Sequence, residues 1–392
     1  MQTAQRSAQT LASRGGAPAC SKPVPFMSLA LTREDKDAAI AVLDSGMLRS
    51  GPKCAELEQR FGEATGAKFA HTAANGTCAL QLAYLALLEP GDEVLVPAWT
   101  YIATASMLVA CGMKPVWVDS LPGTFQIDVA DAARRMNPRV KGIAATHLYG
   151  MPVDVDGVQA LAGQHGLKVV YDCAQAHLAT SNGRPLGQFG DAVTYSFYAT
   201  KNLGTGEGGM ITVNDEALSA KIQKLRSHGE GEKYHHDSIG FNYRMNDITA
   251  AIGCSRLDRL AAQTSRRREI AALYRELLGE VEGVLAPEDT PGADSAWHLF
   301  TVKLDDGFNC TRDEFCNELK AEGVPTAVHY PMSLTQQKAF AGHVPADIRE
   351  HPQVAMDLAT RVFCLPLHHD LSDGQIREVC AAVAKVAGAM RG

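Results

Sequence analysis

The sequence predicts an α/β fold: a large domain with a mostly parallel sheet covered by helices, followed by a smaller C-terminal α+β domain. Three observations predict it. Short apolar runs alternate with helical patterns from Lys68 to Val213, and strands that alternate with helices pair in parallel, with helices on both faces. A long helical pattern then runs from about Asp247, through Leu257 and Leu260, to Leu278. Beyond it a shorter segment carries strands and helices of its own. The 392 residues, 46% of them hydrophobic, suffice for two domains of ordinary size. The reading divides the chain into a flexible N-terminal extension (1–24), a large domain (25–255) and a smaller one (256–392).

The elements follow in order. Strands are expected at 68–72, 93–96, 115–118, 142–146, 168–171, 192–197 and 210–213, with helices at about 77–88, 102–110, 129–136 and 155–165. The last two strands are joined by a glycine-rich turn rather than a helix, so an antiparallel edge is expected there. The C-terminal segment reads as strands near 298–304 and 325–329, with helices near 312–322 and 374–387.

Lys201 carries the chemistry. A strand-like run ending at Phe197 delivers Ser196, then Lys201, then Gly204-Thr205-Gly206-Glu207-Gly208-Gly209. A lysine held there out of water has its pKa lowered, and a neutral amine forms a Schiff base with an aldehyde. Upstream, Asp172 ends the strand 168–171, the place where open α/β sheets collect ligands. It reads either as a helix cap or as the carboxylate that keeps a pyridinium nitrogen protonated. The lysine downstream favours the second. Ala74-Asn75-Gly76-Thr77 joins a strand to a helix, which makes a phosphate site or an ordinary threonine cap. The glycine run matches G-x-G-x-x-G letter for letter, but Met210 to Val213 continue it as a strand. A dinucleotide fingerprint must open a helix, so no nucleotide-binding loop is read there.

These segments, with Ser45-Gly46, Ser50-Gly51-Pro52, Pro90-Gly91-Asp92-Glu93-Val94, Pro97 through Ala105, Gly240-Phe241-Asn242-Tyr243-Arg244-Met245 and His329-Tyr330-Pro331, resemble the DegT/StrS sugar aminotransferases. The resemblance runs from about Pro25 to the C-terminal helix. It implies a fold-type I enzyme that uses pyridoxal 5'-phosphate. Lys201 would hold the cofactor and shuttle the proton, and Asp172 would face the ring nitrogen. Gln175 would face the ring hydroxyl. Tyr101 would stack on the ring, with Trp99 as rival. Gly76, Thr77 and Ser196 would bind the phosphate, joined by Asn242 of a second subunit in a homodimer. His329 and Tyr330 would close the substrate pocket, or simply end a strand. The implied reaction moves an amino group from L-glutamate or L-glutamine to a keto sugar, nucleotide-linked in this family's manner. Alternatives are a keto-cyclitol aminotransferase, a deoxysugar dehydratase, or a regulator that keeps the fold. A histidine replaces the lysine in the dehydratases, so Lys201 favours amino transfer.

Composition excludes other classes. The net charge of −7, without a dense basic stretch, argues against nucleic acid. Arg266-Arg267-Arg268 reads as a solvated helix face. Ten cysteines without a C-x-x-C suggest neither zinc nor a redox pair. His228, His235 and His236 lack a third ligand at metal spacing. No apolar run approaches a membrane span of about 20 residues, and residues 1–24 lack the apolar core of a secretory signal. A cytoplasmic enzyme without a metal is expected.

Overall fold

The computed structural model describes residues 10–347 and 350–391. Seven strands form one sheet: β1 (Phe69–Ala73), β2 (Glu93–Pro97), β3 (Lys114–Val118), β4 (Val140–Thr146), β5 (Lys168–Asp172), β6 (Ala192–Ser196) and β7 (Gly209–Val213). Their order is β1-β7-β6-β5-β4-β2-β3. Strands β2 to β6 pair in parallel, whereas β7 runs antiparallel to both β6 and β1. The antiparallel strand is thus one place in from the edge, where the sequence suggests the edge itself. The tight turn after β6 forces β7 back beside it, and β1 then occupies β7's open side.

Both faces of the sheet are buried, and the period-2 alternation of strand side chains divides them. Val94, Val96, Val170 and Ile211 face one core with α3 (Gly76–Leu87) and α4 (Ile102–Ala110). Leu95, Val169, Tyr171, Val193 and Met210 face the other. Helix α8 (Asp247–Leu278) starts beside the first helices of the chain, where Asp247 accepts the Gly51 and Cys54 amides at 2.8 and 3.0 Å. Its last turns place Ile270, Tyr274 and Leu278 in a separate C-terminal core.

That C-terminal α+β part holds a three-stranded antiparallel sheet, Val284–Leu285, Phe300–Leu304 and Val362–Leu365. The strand expected at 325–329 is reduced to one bridge between Ala327 and Cys364. Pro325 and Pro331 remove the donors that would extend it. The segment instead turns His329 and Tyr330 toward the main sheet.

Residues 10–24 are packed rather than flexible. Leu11, Cys20 and Val24 enter the C-terminal core. The fully buried Glu322 accepts the Ala12 and Ala19 amides at 2.8 Å each and pairs with Lys385. Three sparse apolar residues give no periodicity, and their acidic anchor lies some 300 residues away, so the sequence hides this packing. Residues 1–9 lie outside the described residues. The arginine triplet is corrected too. Arg266 pairs with Asp373 and Arg268 with Asp294, but Arg267 is buried and donates to the carbonyls of Trp297 and Leu367. Among the described residues no helix is long and apolar enough to cross a membrane.

Candidate active site

The C-terminal ends of β4, β5 and β6 converge on a cavity of about 510 Å³. Register explains the convergence: Thr146 lies beside Asp172, and Asp172 beside Thr194. Strand alternation and the parallel pairing therefore bring Asp172 and the turn after Ser196 to one rim. Four backbone bonds brace that turn. Phe197 N–H donates to Gly208 O, Thr205 N–H to Phe197 O, Ala199 N–H to Gly206 O and Lys201 N–H to Tyr198 O, all at 2.7–2.8 Å. Lys201 thus projects from a closed loop, which fixes its stem before any ligand arrives.

Lys201 and Asp172 both line the cavity. Burial brings the Lys201 amine down to about 8, against the opposing pull of the Asp172 charge. Burial also pushes the Asp172 carboxyl up. Against that rise stand a 2.7 Å bond from Thr104 Oγ1 to Oδ2, a 3.0 Å bond from the Ala174 amide to Oδ1, and the Lys201 charge. No helix follows β5, so Asp172 is not a helix cap.

Opposite the lysine, Gly76 opens α3. Asn75 caps that helix, its Oδ1 accepting the Cys78 amide at 2.9 Å, so the cap is not Thr77 and the threonine hydroxyl stays uncommitted. A Cβ on Gly76 would stand 2.8 Å from Ser196 Cβ. Only glycine lets the helix start sit against the end of β6. Gly76, Thr77 and Ser196 consequently share one wall of the cavity, with backbone amides and the positive helix end facing it.

The upper wall is aromatic and polar. Tyr101 lines the cavity and is 54% exposed, whereas Trp99 is 1% exposed and donates Nε1–H to Tyr149 OH. Gln175 is buried; its Oε1 accepts the Tyr149 amide at 2.6 Å, and its Nε2 lies 3.3 Å from Tyr330 OH. His298 holds Nδ1 3.2 Å from Asn202 Oδ1, and the Asn202 amide nitrogen donates to Ala296 O. With that amide spent, Asn202 Oδ1 is an acceptor and His298 Nδ1 carries the proton.

Residues 30–384 match the DegT/DnrJ/EryC1/StrS aminotransferase family. The chain belongs to this family. It is 38% identical to the UDP-N-acetyl-3-dehydro-alpha-D-glucosamine 3-aminotransferase of Acidithiobacillus ferrooxidans over 346 residues, 88% of this chain and 91% of that protein. The X-ray structure of Streptomyces venezuelae DesV in complex with ketimine intermediate superposes with a TM-score of 0.89 at 35% identity, covering 94% of this chain and 99% of that one. Spr1654 of Streptococcus pneumoniae in its PMP form gives 0.87 at 27% identity, covering 93% and 98%. The chain is thus a member of the sugar aminotransferases, a family of pyridoxal-phosphate-dependent transaminases, with the fold-type I architecture its sequence predicts.

Of the residues singled out in the sequence, Lys201, Asp172, Gly76, Thr77, Tyr101, Gln175, Ser196, His329 and Tyr330 all line this one cavity. Asn242 does not. It lies exposed on the strand-like segment that bridges to Ser227. Sequence reasoning missed Tyr149, which gives its amide to Gln175, its hydroxyl to the His329 carbonyl, and accepts from Trp99. It follows the C-terminal end of β4, and that position next to Gly150 was its one visible signal. Thr104, His298 and Asn202 were missed as well; nothing in their local patterns marks them.

Proposed function

We propose that this chain transfers an amino group from L-glutamate or L-glutamine to a nucleotide-linked keto sugar, with pyridoxal 5'-phosphate held by Lys201. The observation that carries the reading is the meeting of a desolvated lysine, a buried carboxylate and a glycine-shaped helix start around one cavity. These residues fit the cofactor. The space that a Cβ at position 76 would fill is the space in which an anionic group can approach the amides of α3. The charge held on Asp172 suits a protonated ring nitrogen.

When bound, the pyridoxal ring supplies the electron sink that lets the donor's α-proton leave. The protein's own groups do the rest. Lys201 Nζ, with a pKa brought to about 8, is neutral often enough near neutral pH to accept that proton and to return it. Asp172 would hold the ring nitrogen by its carboxylate. Gln175 would face the ring hydroxyl, and Tyr101 would cover the ring face. His329 and Tyr330 close the substrate side. The name of the Acidithiobacillus relative supports a ketone on a sugar carried by a nucleoside diphosphate.

We propose further that two chains complete each other's sites, Asn242 of one binding the phosphate held by its partner. Two features support this. Asn242 is exposed and absent from its own cavity. Helix α1 (Arg33–Ser45) and the residues after it leave Ile40, Leu43, Met47 and Leu48 46–53% exposed, an apolar surface that a two-fold contact would cover.

The test is direct. Purified protein with pyridoxal phosphate is given each donor with a panel of nucleotide-linked keto sugars, and products are weighed by mass spectrometry. An amino sugar with stoichiometric oxo acid is expected. A sugar that loses its hydroxyl without gaining nitrogen would instead mark a dehydratase. For the shared site, a Lys201→Ala subunit mixed with an Asn242→Ala subunit should regain activity, since one of the mixed dimer's two sites is intact. No recovery after verified subunit exchange refutes it.

A further inference from the structure

Asp172 does not stand alone beneath the cavity. Thr100, just before the N-cap residue Tyr101, and Thr104 in the first turn of α4 both reach the ends of β4 and β5, where Thr146 and Asp172 sit. Thr100, Thr104 and Thr146 are 2, 0 and 4% exposed. Thr104 Oγ1 lies 2.7 Å from Asp172 Oδ2, 3.3 Å from Thr146 Oγ1 and 3.4 Å from Thr100 Oγ1; Thr100 Oγ1 donates to Thr146 Oγ1 at 2.9 Å.

The donor count fixes the direction of this network. An ionised carboxylate has no proton to give, and each hydroxyl has one. Thr104 therefore spends its proton on Asp172. Thr100 spends its own on Thr146, and Thr146 has Thr104 as its remaining acceptor. The hydroxyls run one way, from Thr100 through Thr146 and Thr104 to Asp172 Oδ2. Protonating Asp172 on Oδ2 would put two donors face to face unless Thr104 and the hydroxyls behind it turned round. The backbone that carries Thr104 is itself pinned, because the buried Tyr84 hydroxyl donates to the Thr104 carbonyl at 2.8 Å.

We propose that Thr104, backed by Thr146 and Thr100, is a positioning residue that keeps Asp172 an oriented carboxylate and so keeps the cofactor's ring nitrogen protonated. This rests on the reading that Asp172 faces that nitrogen. It goes beyond that reading by assigning the carboxylate's ionisation to a chain of three hydroxyls, of which Thr104 and Thr100 do not line the cavity. Burial acts against the charge on Asp172, and the Thr104 bond is the first of the influences that oppose it, ahead of the Ala174 amide and Lys201. A charge-assisted hydrogen bond of this length is also among the stronger kinds.

The experiment reconstitutes wild type, Thr104→Val, Thr104→Ser, Thr100→Val and Asp172→Asn with pyridoxal phosphate labelled with ¹⁵N in the ring. Two quantities are read: the ring-nitrogen chemical shift, which reports its protonation, and the Kd for the cofactor by titration of the cofactor-free protein. Valine keeps the threonine's shape and loses the hydroxyl; serine keeps the hydroxyl and loses the methyl. Thr104→Val should lose ring protonation and raise Kd by about 10- to 100-fold, the range expected for one hydrogen bond to a charged group. Thr104→Ser should retain both properties, and Thr100→Val should shift both in the same direction by less. Thr100→Val also keeps the inference testable if Thr104→Val does not fold. Wild-type behaviour of Thr104→Val, or equal damage from Thr104→Ser, overturns the inference. Asp172→Asn separates the two layers. If its ring nitrogen stays protonated, the assignment of Asp172 itself fails. If it loses protonation while Thr104→Val does not, the hydroxyl chain alone fails.

Discussion

Replacing Lys201 by methionine should flatten the pH dependence of stability in the cofactor-free protein. The Lys201 amine titrates near 8 in the fold against an ordinary 10.5, because burial disfavours its charge. The folded value is the lower one, so between the two the unfolded chain binds more protons and stability rises with pH. Below about 8 the amine is protonated in both states and the penalty is complete; above 10.5 it is gone. A gap of about 2.5 pH units corresponds to about 3 kcal/mol. Lys201 is partly open to water in the cavity, and that screening reduces the expected gain to about 1–2 kcal/mol. The groups around the lysine do not confuse the measurement. Burial holds His177, His298 and His329 below their usual range, so all three stay neutral through this window. Urea denaturation of both proteins at about pH 7 and about pH 10.5 should show wild type gaining about 1–2 kcal/mol more than Lys201→Met. Parallel changes in the two proteins would mean that the amine titrates normally, and the argument for a poised lysine would fall.

Three further outcomes are expected. Gly76→Ala drives a Cβ to 2.8 Å from Ser196 Cβ; relieving that contact should cost about 1–3 kcal/mol and weaken cofactor affinity, read by titrating the cofactor-free protein. Unchanged affinity would dissociate this wall from phosphate binding. Tyr101→Phe or Tyr101→Ala should leave the denaturation midpoint close to wild type, with the alanine weakening cofactor binding, whereas Trp99→Ala should cost about 3–5 kcal/mol of stability. The reverse pattern would make Trp99 the stacking residue. Glu322→Ala strips Lys385 of its carboxylate and the Ala12 and Ala19 amides of their acceptor and should destabilise the protein by about 3–5 kcal/mol, with faster proteolysis within residues 10–24. Resistance equal to wild type would mean that the acid does not tie this segment down.

The large sheet was legible because its strands are short apolar runs whose burial on both faces leaves no ambiguity of side. The cofactor wall was legible because Lys201, Asp172 and Gly76 each end or begin an element, and element ends are where sequence position becomes spatial position. What stayed hidden is tertiary. Thr104 and Thr146 are ordinary residues in apolar surroundings; strand register sets Thr146 beside Asp172, and only the tertiary placement of α4 brings Thr104 within reach of the carboxylate. Tyr149 and His298 belong to different parts of the chain and meet through the C-terminal segment. The packing of residues 10–24 depends on Glu322, whose own local pattern is simply the end of a helix. Arg267 reads as exposed beside two solvated arginines, yet its partners are carbonyls brought in from Trp297 and Leu367.

The central claim is that Lys201 carries the cofactor. The most direct test is to load the purified protein with pyridoxal phosphate, reduce it with borohydride, digest it and map the modified peptide by mass spectrometry. One phosphopyridoxyl group per chain, on the peptide containing Lys201 and lost in Lys201→Ala, is the expected result. A label on another lysine, or a wild-type protein that takes up none, would contradict the account.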